Sequence, residues 1–364
     1  MTQTAIPFLF MRGGTSRGPY MNRADLPEDL DQLAEVLIAI VGSGHALNID
    51  GIGGGAAVTT KVAMLSRSDD AWADVDYFFA QVSVEDRLVD FKPTCGNILS
   101  GVGPAAIEMG LIAAQDGETP VNIRAVNTGA KVAAVVQTPG GVVNYEGDTQ
   151  IDGVPGTAAP VALQFMETVG GATGAFLPTG NLVDEIDGIA VTCMDVAMPM
   201  VIARADSFGL SGHESASELD DNAAFFEQME AVRLKAGAMM GMGDVSKSVT
   251  PKFGLVAPPN AGGTVATRYF MPWSAHPTMA VTGAQCLASC VLTPGTVASG
   301  LGKLPNTRPA PLTLEHASGT IDVLVDYEDT PDGMIIKSAG LVRSARKLAA
   351  GEVFVPASAW GGHV

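Results

Sequence analysis

Apolar and polar positions along the chain fall into two similar runs. The first opens with an apolar strand pattern, "IPFLFMRGG", then a turn, then "GPYMNRADLP". The second opens in the third quarter with "IAVTCMDVAMPMVIARADSFGL". Each reads as strand, loop, strand, and then a segment with acidic helix-start signals: "LPEDLDQLAEVLIAIVG" in one, "ESASELDDNAAFFEQMEAVRLKAGAMMG" in the other. Each run then reaches an apolar helix opened by a small polar residue and glycine, "CGNILSGVGPAAIEMG" and "TGAQCLASCVLTPG". Stretches such as "VNIRAVNTGAKVAAVVQT" and "IDVLVDYEDTPDGMIIKSAGLVRSARKLAAGEVFV" show the period-2 alternation and turn residues of antiparallel strands.

From the end of the opening strand to the apolar helix is about 84 residues in the first run and about 87 in the second, a spacing that suggests an ancient duplication. The predicted architecture is α+β: two pseudo-symmetric domains, each a curved, mainly antiparallel sheet around one buried central helix. Pro, Gly and acidic residues interrupt the pattern in "LPTGNLVDEIDG", around 177–188, so the expected domains are 1–182 and 183–364. Two buried helices whose N-termini face each other across a domain cleft would make an anion site from free N–H donors. Cys95-Gly96-Asn97 and Thr282-Gly283 would occupy those ends. Their glycines would let a carboxylate approach the backbone.

Composition narrows the class. The 364 residues are 47% hydrophobic and 16% charged, which fits a large packed core rather than disorder. A net charge of -18, with 21 Lys and Arg against 39 Asp and Glu and no basic cluster, argues against nucleic acid as a partner. An anionic substrate would need local cations and backbone donors to bind against that field. The four cysteines form no CxxC pair, and Cys286 and Cys290 lack matching ligands nearby, so no metal is expected. Reduced thiols in a cytoplasmic chain are the simple reading. "MTQTAIPFLFMRGG" lacks the basic and long apolar regions of a signal peptide. The apolar core between Pro277 and Pro294 is roughly 16 residues, short of the ~20 a membrane span needs, and reads as a buried helix.

Several motifs carry candidate chemistry. In "MRGGTSRG", Arg12, Gly13, Gly14, Thr15 and Ser16 offer a guanidinium, bare backbone and two hydroxyls for a carboxylate; the same residues also suit a glycine turn between strands. "NIDGIGGGAAVTTKVAML" matches a relaxed dinucleotide fingerprint, but no buried strand precedes it and β-branched residues follow. It reads better as a glycine loop, with Gly53 and Gly54 available to substrate, leading into a strand that presents Lys61. A lysine between apolar neighbours there is either a partly desolvated base or a solvated side chain on an open face. "GMGDVSKSVTPK" fails the phosphate-loop template at Ser246, leaving Lys247 as a carboxylate partner or a surface lysine. His276, in "SAHPTMAVTG", would donate to an anion or serve structure. His45, His213, His316 and His363 lie in plain contexts, and no nucleophile elbow is visible. Cys95 alone reads first as a small buried filler, and only second as a proton carrier.

Taken in order, "MRGGTSRG", "NIDGIGGG" with Lys61, "KPTCGN", "SKS" and "HPTMAVTGA" resemble the PrpF family over nearly the whole chain. That resemblance implies the diaminopimelate epimerase-like fold and a cofactor-free isomerase that shifts an allylic proton in unsaturated tricarboxylates. The "HPTMAVTGA" helix looks like the 4-oxalomesaconate tautomerase branch, with 2-methylaconitate isomerases as neighbours. Such a branch implies a role in breakdown of lignin-derived or gallate-type aromatics. The resemblance makes Lys61 and Cys95 the acid/base residues. Arg17 stands where the family usually shows lysine, and Thr282 where true epimerases carry a second cysteine. A helix-end thiol suits such proton exchange, because thiols at helix N-termini ionise more easily. A racemase and a non-catalytic polycarboxylate-binding protein are the competing readings. The expected partner is a small polycarboxylate, and the oligomeric state stays open, a homodimer included.

Overall fold

The computed structural model describes residues 3–331 and 333–362; Asp332 and His363 lie outside it. The chain forms two compact units. One takes in residues up to Leu163 and from Val342 onward, and the other is Gln164–Leu341. The contiguous division at 182/183 therefore differs from the observed one. The reason is a long-range pairing: the C-terminal strand lies antiparallel on the first strand, from Gln3↔Pro356 to Gly13↔Ala345.

In the first unit the strands are β1 (Gln3–Gly13), β2 (Ser16–Asn22), β3 (Lys61–Arg67), β4 (Val75–Val82), β5 (Val89–Asp90), β6 (Gly117–Ala125), β7 (Lys131–Thr138) and β8 (Pro160–Met166). From β1 the order is β1-β2-β3-β4-β6-β7. The successive pairs run antiparallel, parallel, antiparallel, parallel, antiparallel. The helices are α1 (Leu30–Val41), α2 (Gly96–Leu99) and α3 (Val102–Glu108). The acidic start signal of α1 is real: Asp29 caps it by accepting from Gln32 N–H at 2.9 Å. Gly42 ends it in the left-handed region, φ 78°. The helix buries Leu33, Val36, Leu37 and Ile40 in one core with Val62 and Met64 of β3 and Ala80 and Val82 of β4.

The second unit holds β9 (Asp184–Ile186), β10 (Ile189–Asp195), β11 (Pro199–Arg204), β12 (Lys252–Ala257), β13 (Val265–Phe270), β14 (Ala310–His316), β15 (Gly319–Thr330) and the start of β16 (Gly333–Pro356). Its ladder from β10 to β15 repeats the same alternation of antiparallel and parallel pairs. The pairing pattern of the first unit thus recurs in the second. The predicted acidic helix is split into α4 (Ala216–Asp220), opened by a Ser215–Glu218 capping box, and α5 (Ala223–Met239), capped by Asn222. The buried helix is α6 (Val281–Leu292), with every residue from Gly283 onward inaccessible. No helix among the described residues is long and apolar enough to cross a membrane.

The matching apolar helix of the first unit departs from the prediction. It is two short pieces, α2 and α3, broken at Ser100-Gly101. Pro104 explains the break. In a continuous helix its missing N–H would leave the Ser100 carbonyl unpaired and its ring would strike that carbonyl. Restarting at Val102 puts Pro104 in the first turn, where no N–H is needed. Gly101 fits the break because a Cβ there would lie 2.4 Å from the Tyr20 hydroxyl.

Candidate active site

Residues of β3 alternate in direction. Val62 and Met64 pack under α1, so Lys61 and Ala63 point to the other face, where α2 lies. There Lys61 Nζ donates to Cys95 Sγ at 3.1 Å. The ammonium also sits 5.9 Å from the centre of the Phe79 ring. Cys95 is only 9% exposed, and Lys61 is half-buried. The filler reading of Cys95 does not explain a lysine held against its sulfur.

Two tyrosines fix the backbone that carries the thiol. Tyr20 Oη donates to the Ile98 carbonyl at 2.5 Å, and Tyr77 Oη to the Cys95 carbonyl at 3.3 Å. Burial, and then proximity to Cys95, pushes both phenol pKa values well up, so both stay protonated donors at neutral pH. Tyr20 has a structural reason to be there. The helix break leaves Ile98 without its normal Val102 N–H partner, and Tyr20 joins the Gly101 N–H in serving that carbonyl. Neither tyrosine carries a local sequence signal.

The expected helix-end anion site at Cys95-Gly96-Asn97 is revised by the same break. A single turn of four residues builds almost no macrodipole. The positive charge beside the thiol is the Lys61 ammonium instead.

The glycine motif wraps this pair. Gly14 turns at φ +52°, and a Cβ on it would sit 2.2 Å from Asn97 Oδ1. Thr15 N–H donates to that same oxygen at 3.3 Å. Gly13, Gly14, Thr15 and Asn97 are therefore brought together, as the motif order implied. Gly18 was missed. A Cβ there would fall 1.7 Å from the Lys61 carbonyl, so β2 and β3 approach closely only because this residue is glycine. A glycine inside a strand pattern was the available signal. Arg12 directs its guanidinium at protein: to the Gly14 carbonyl at 2.8 Å, the Ser344 carbonyl at 3.0 Å and Ser344 Oγ at 3.1 Å. Burial, and then Arg346, lowers its pKa. Those bonds hold the turn.

The two loop glycines behave differently. Gly53 packs against the Val41 carbonyl and Asn48, whose amide organises the loop by donating to Gly42, His45 and Val84 carbonyls. Gly54 is exposed, and a Cβ on it would lie 2.7 Å from both the Arg17 guanidinium and Thr59 Oγ1.

The remaining candidates are in the second unit. His276 accepts from Thr278 N–H through Nδ1 at 3.0 Å, leaving Nε2 as the protonated nitrogen. Burial pushes its pKa down, with the Lys252 ammonium adding to the effect. The ring is a neutral donor, and it meets Tyr269 edge-on. Gly283 also meets Tyr269: a Cβ there would lie 2.3 Å from the ring, so ring packing accounts for this glycine. Thr282 is half-buried in the first turn of α6. Lys247 is exposed on a separate loop, whose Val245, Ser248 and Pro251 carbonyls are gripped by the buried Arg233.

The sequence profile described as "PrpF protein" matches residues 3–356. The chain belongs to the PrpF family. It is 50% identical over 351 residues to the Escherichia coli (strain K12) protein named "Putative isomerase YbhH", covering 96% of this chain and 99% of that one. It is 45% identical over 349 residues to the (4E)-oxalomesaconate Delta-isomerase of Novosphingobium sp. (strain KA1), covering 96% and 97%. The crystal structure of methylitaconate-delta-isomerase superposes with a TM-score of 0.90 at 33% identity, over 99% of this chain and 97% of that one. This PrpF protein is accordingly an isomerase with a mixed α/β fold rich in strands.

Proposed function

We propose that this PrpF isomerase moves a proton across the allylic system of an unsaturated tricarboxylate, with 4-oxalomesaconate as the substrate to test first. The observation that carries the reading is the 3.1 Å contact between Lys61 Nζ and Cys95 Sγ. The 45% identity to an oxalomesaconate Delta-isomerase supports the choice of substrate, while the printed name of the 50% identical relative names no substrate. The repeated strand ladder supports the diaminopimelate epimerase-like architecture with its two pseudo-symmetric domains.

In this reading one member of the pair takes the proton from the carbon beside the alkene and carbonyl. The electron pair shifts into the conjugated system as a dienolate, and the other member returns a proton at the far carbon. The bonds broken and formed are C–H bonds at two carbons, so the product is an isomer. The hydrogen bond between Lys61 and Cys95 lets the transferred proton pass back and reset the pair. The Lys61 ammonium also places a cation beside the growing enolate charge. Asn97 and Thr15, which lie together beside the pair, are proposed as donors to substrate oxygens.

Purified protein with 4-oxalomesaconate in D2O, followed by NMR, tests this. Isomer formation with deuterium gained at carbon is expected. No isomer and no deuterium would end the reading, and turnover only with 2-methylaconitate would move the substrate assignment to the neighbouring branch.

A further inference from the structure

Three arginines lie side by side across adjacent strands of the first unit. In register, Arg12 of β1 faces Arg17 of β2 on one side and Arg346 of β16 on the other. Like charges directly opposite one another destabilise a sheet. The chain carries a net charge of -18, so carboxylates are plentiful. Yet among the described residues none of the three arginines is paired with one.

A cavity of about 150 Å³ opens on this row, lined by Arg12, Arg17, Thr15, Ser16, Thr59 and the Gly153–Pro155 turn. Ser16 is 3% exposed, and its Oγ has no hydrogen-bond partner. A buried hydroxyl without a partner carries a desolvation cost that a ligand oxygen would remove. Arg12 commits three N–H donors to the Gly14 and Ser344 carbonyls and to Ser344 Oγ. Arg17 has no such bond: it is exposed, 5.8 Å from the Phe10 ring, and its guanidinium lies against Gly54, where a Cβ would come within 2.7 Å of it. The cavity adjoins the Lys61–Cys95 pair along the chain. Thr59 stands two residues before Lys61, and the hairpin turn that supplies Thr15 and Ser16 touches Asn97.

We propose that this cavity is a carboxylate-binding site in which Arg17 supplies the charge and Ser16 Oγ a hydroxyl donor. The source of the carboxylate rests on the function proposed above, which makes it a remote carboxylate of the substrate. Arginine in place of lysine then matters, because a planar fork binds a carboxylate through two parallel N–H donors and an ammonium does not.

Calorimetry with tricarballylate, a saturated tricarboxylate that has no alkene to isomerise, tests the site without turnover. Wild-type protein is expected to bind it, and Arg17→Ala to weaken binding by about 10- to 100-fold, the range of hydrogen bonds to charged groups. Arg17→Lys should fall between, and Ser16→Ala should weaken binding by about 3- to 10-fold, the range of a neutral hydrogen bond. Thermal melts of each variant check folding, and the milder Arg17→Lys and Ser16→Ala keep the test open if Arg17→Ala is unstable. No binding to wild type, or equal binding by wild type, Arg17→Ala and Ser16→Ala, overturns the proposal. Kinetics with 4-oxalomesaconate then assigns the source. A raised KM in Arg17→Ala with competitive inhibition by tricarballylate identifies the substrate's own carboxylate. Unchanged KM with non-competitive behaviour identifies a separate polycarboxylate, and the site stands. Absence of any turnover defeats the proposed function and leaves the calorimetric result to decide this one.

Discussion

The apolar helices of the two units share a place in the same ladder and differ in nearly everything else. In the second unit α6 is continuous, and its Cys286 and Cys290 are wholly inaccessible. Burial pushes the Cys286 thiol well up and Cys290 to about 12, so both are inert. In the first unit the equivalent segment is broken, and its cysteine precedes the first turn, against a lysine. The second unit carries Thr282 at the start of its helix. One ladder used twice therefore sets a lysine against a cysteine only in the first unit's version. That asymmetry suits a reaction in which one apparatus takes and returns a proton, rather than one that needs opposed thiols.

The sharpest break of this comparison is removal of the pair. Lys61→Ala and Cys95→Ser should each lower turnover by at least ~100-fold, the size of a general acid–base contribution. Adding Thr282→Cys to Cys95→Ser should restore nothing; recovery in a steady-state assay would mean the two helix starts are interchangeable.

Two glycines sharpen it further. Gly18 lies against the Lys61 carbonyl, and Gly302 lies against the Thr264 carbonyl, each with 1.7 Å for an added Cβ. Gly18→Ala and Gly302→Ala should both cost about 1–3 kcal/mol in urea unfolding, as overpacking does. Only Gly18→Ala should also lower turnover per folded molecule, because it displaces the strand that bears Lys61.

Tyr20→Phe tests the support of the break. It removes the donor from a buried carbonyl and should cost about 1–3 kcal/mol by the same unfolding assay. Unchanged stability would mean the Gly101 N–H is enough for Ile98. The smallest effect is a labelling pattern. Iodoacetamide at pH 8, read by peptide mass spectrometry, should modify Cys95 alone. Cys193 is raised to about 12 by burial and then by Asp184, and it is inaccessible like Cys286 and Cys290. Labelling of any of those three would contradict the asymmetry.

Much of this was legible along the chain, because it depends on near neighbours. The alternation around Lys61, the Asp29 cap of α1 and the buried α6 follow from local pattern and spacing. The break at Ser100-Gly101 had its signal in Pro104, which a reading of one long apolar helix passed over. The return of β16 to β1 had none, since register between strands more than 300 residues apart is set by their final packing.

The sequence by itself determined two like halves, their strands and helices, and the residue types able to move a proton or hold a carboxylate. Only the tertiary structure decided which of them meet. Lys61 reaches Cys95 because β3 turns alternate residues toward α2 and because Gly18 lets β2 come close. Arg12 and Arg17 line up because β1 and β2 pair in one register. Those contacts come from close packing and strand register, which no local propensity encodes.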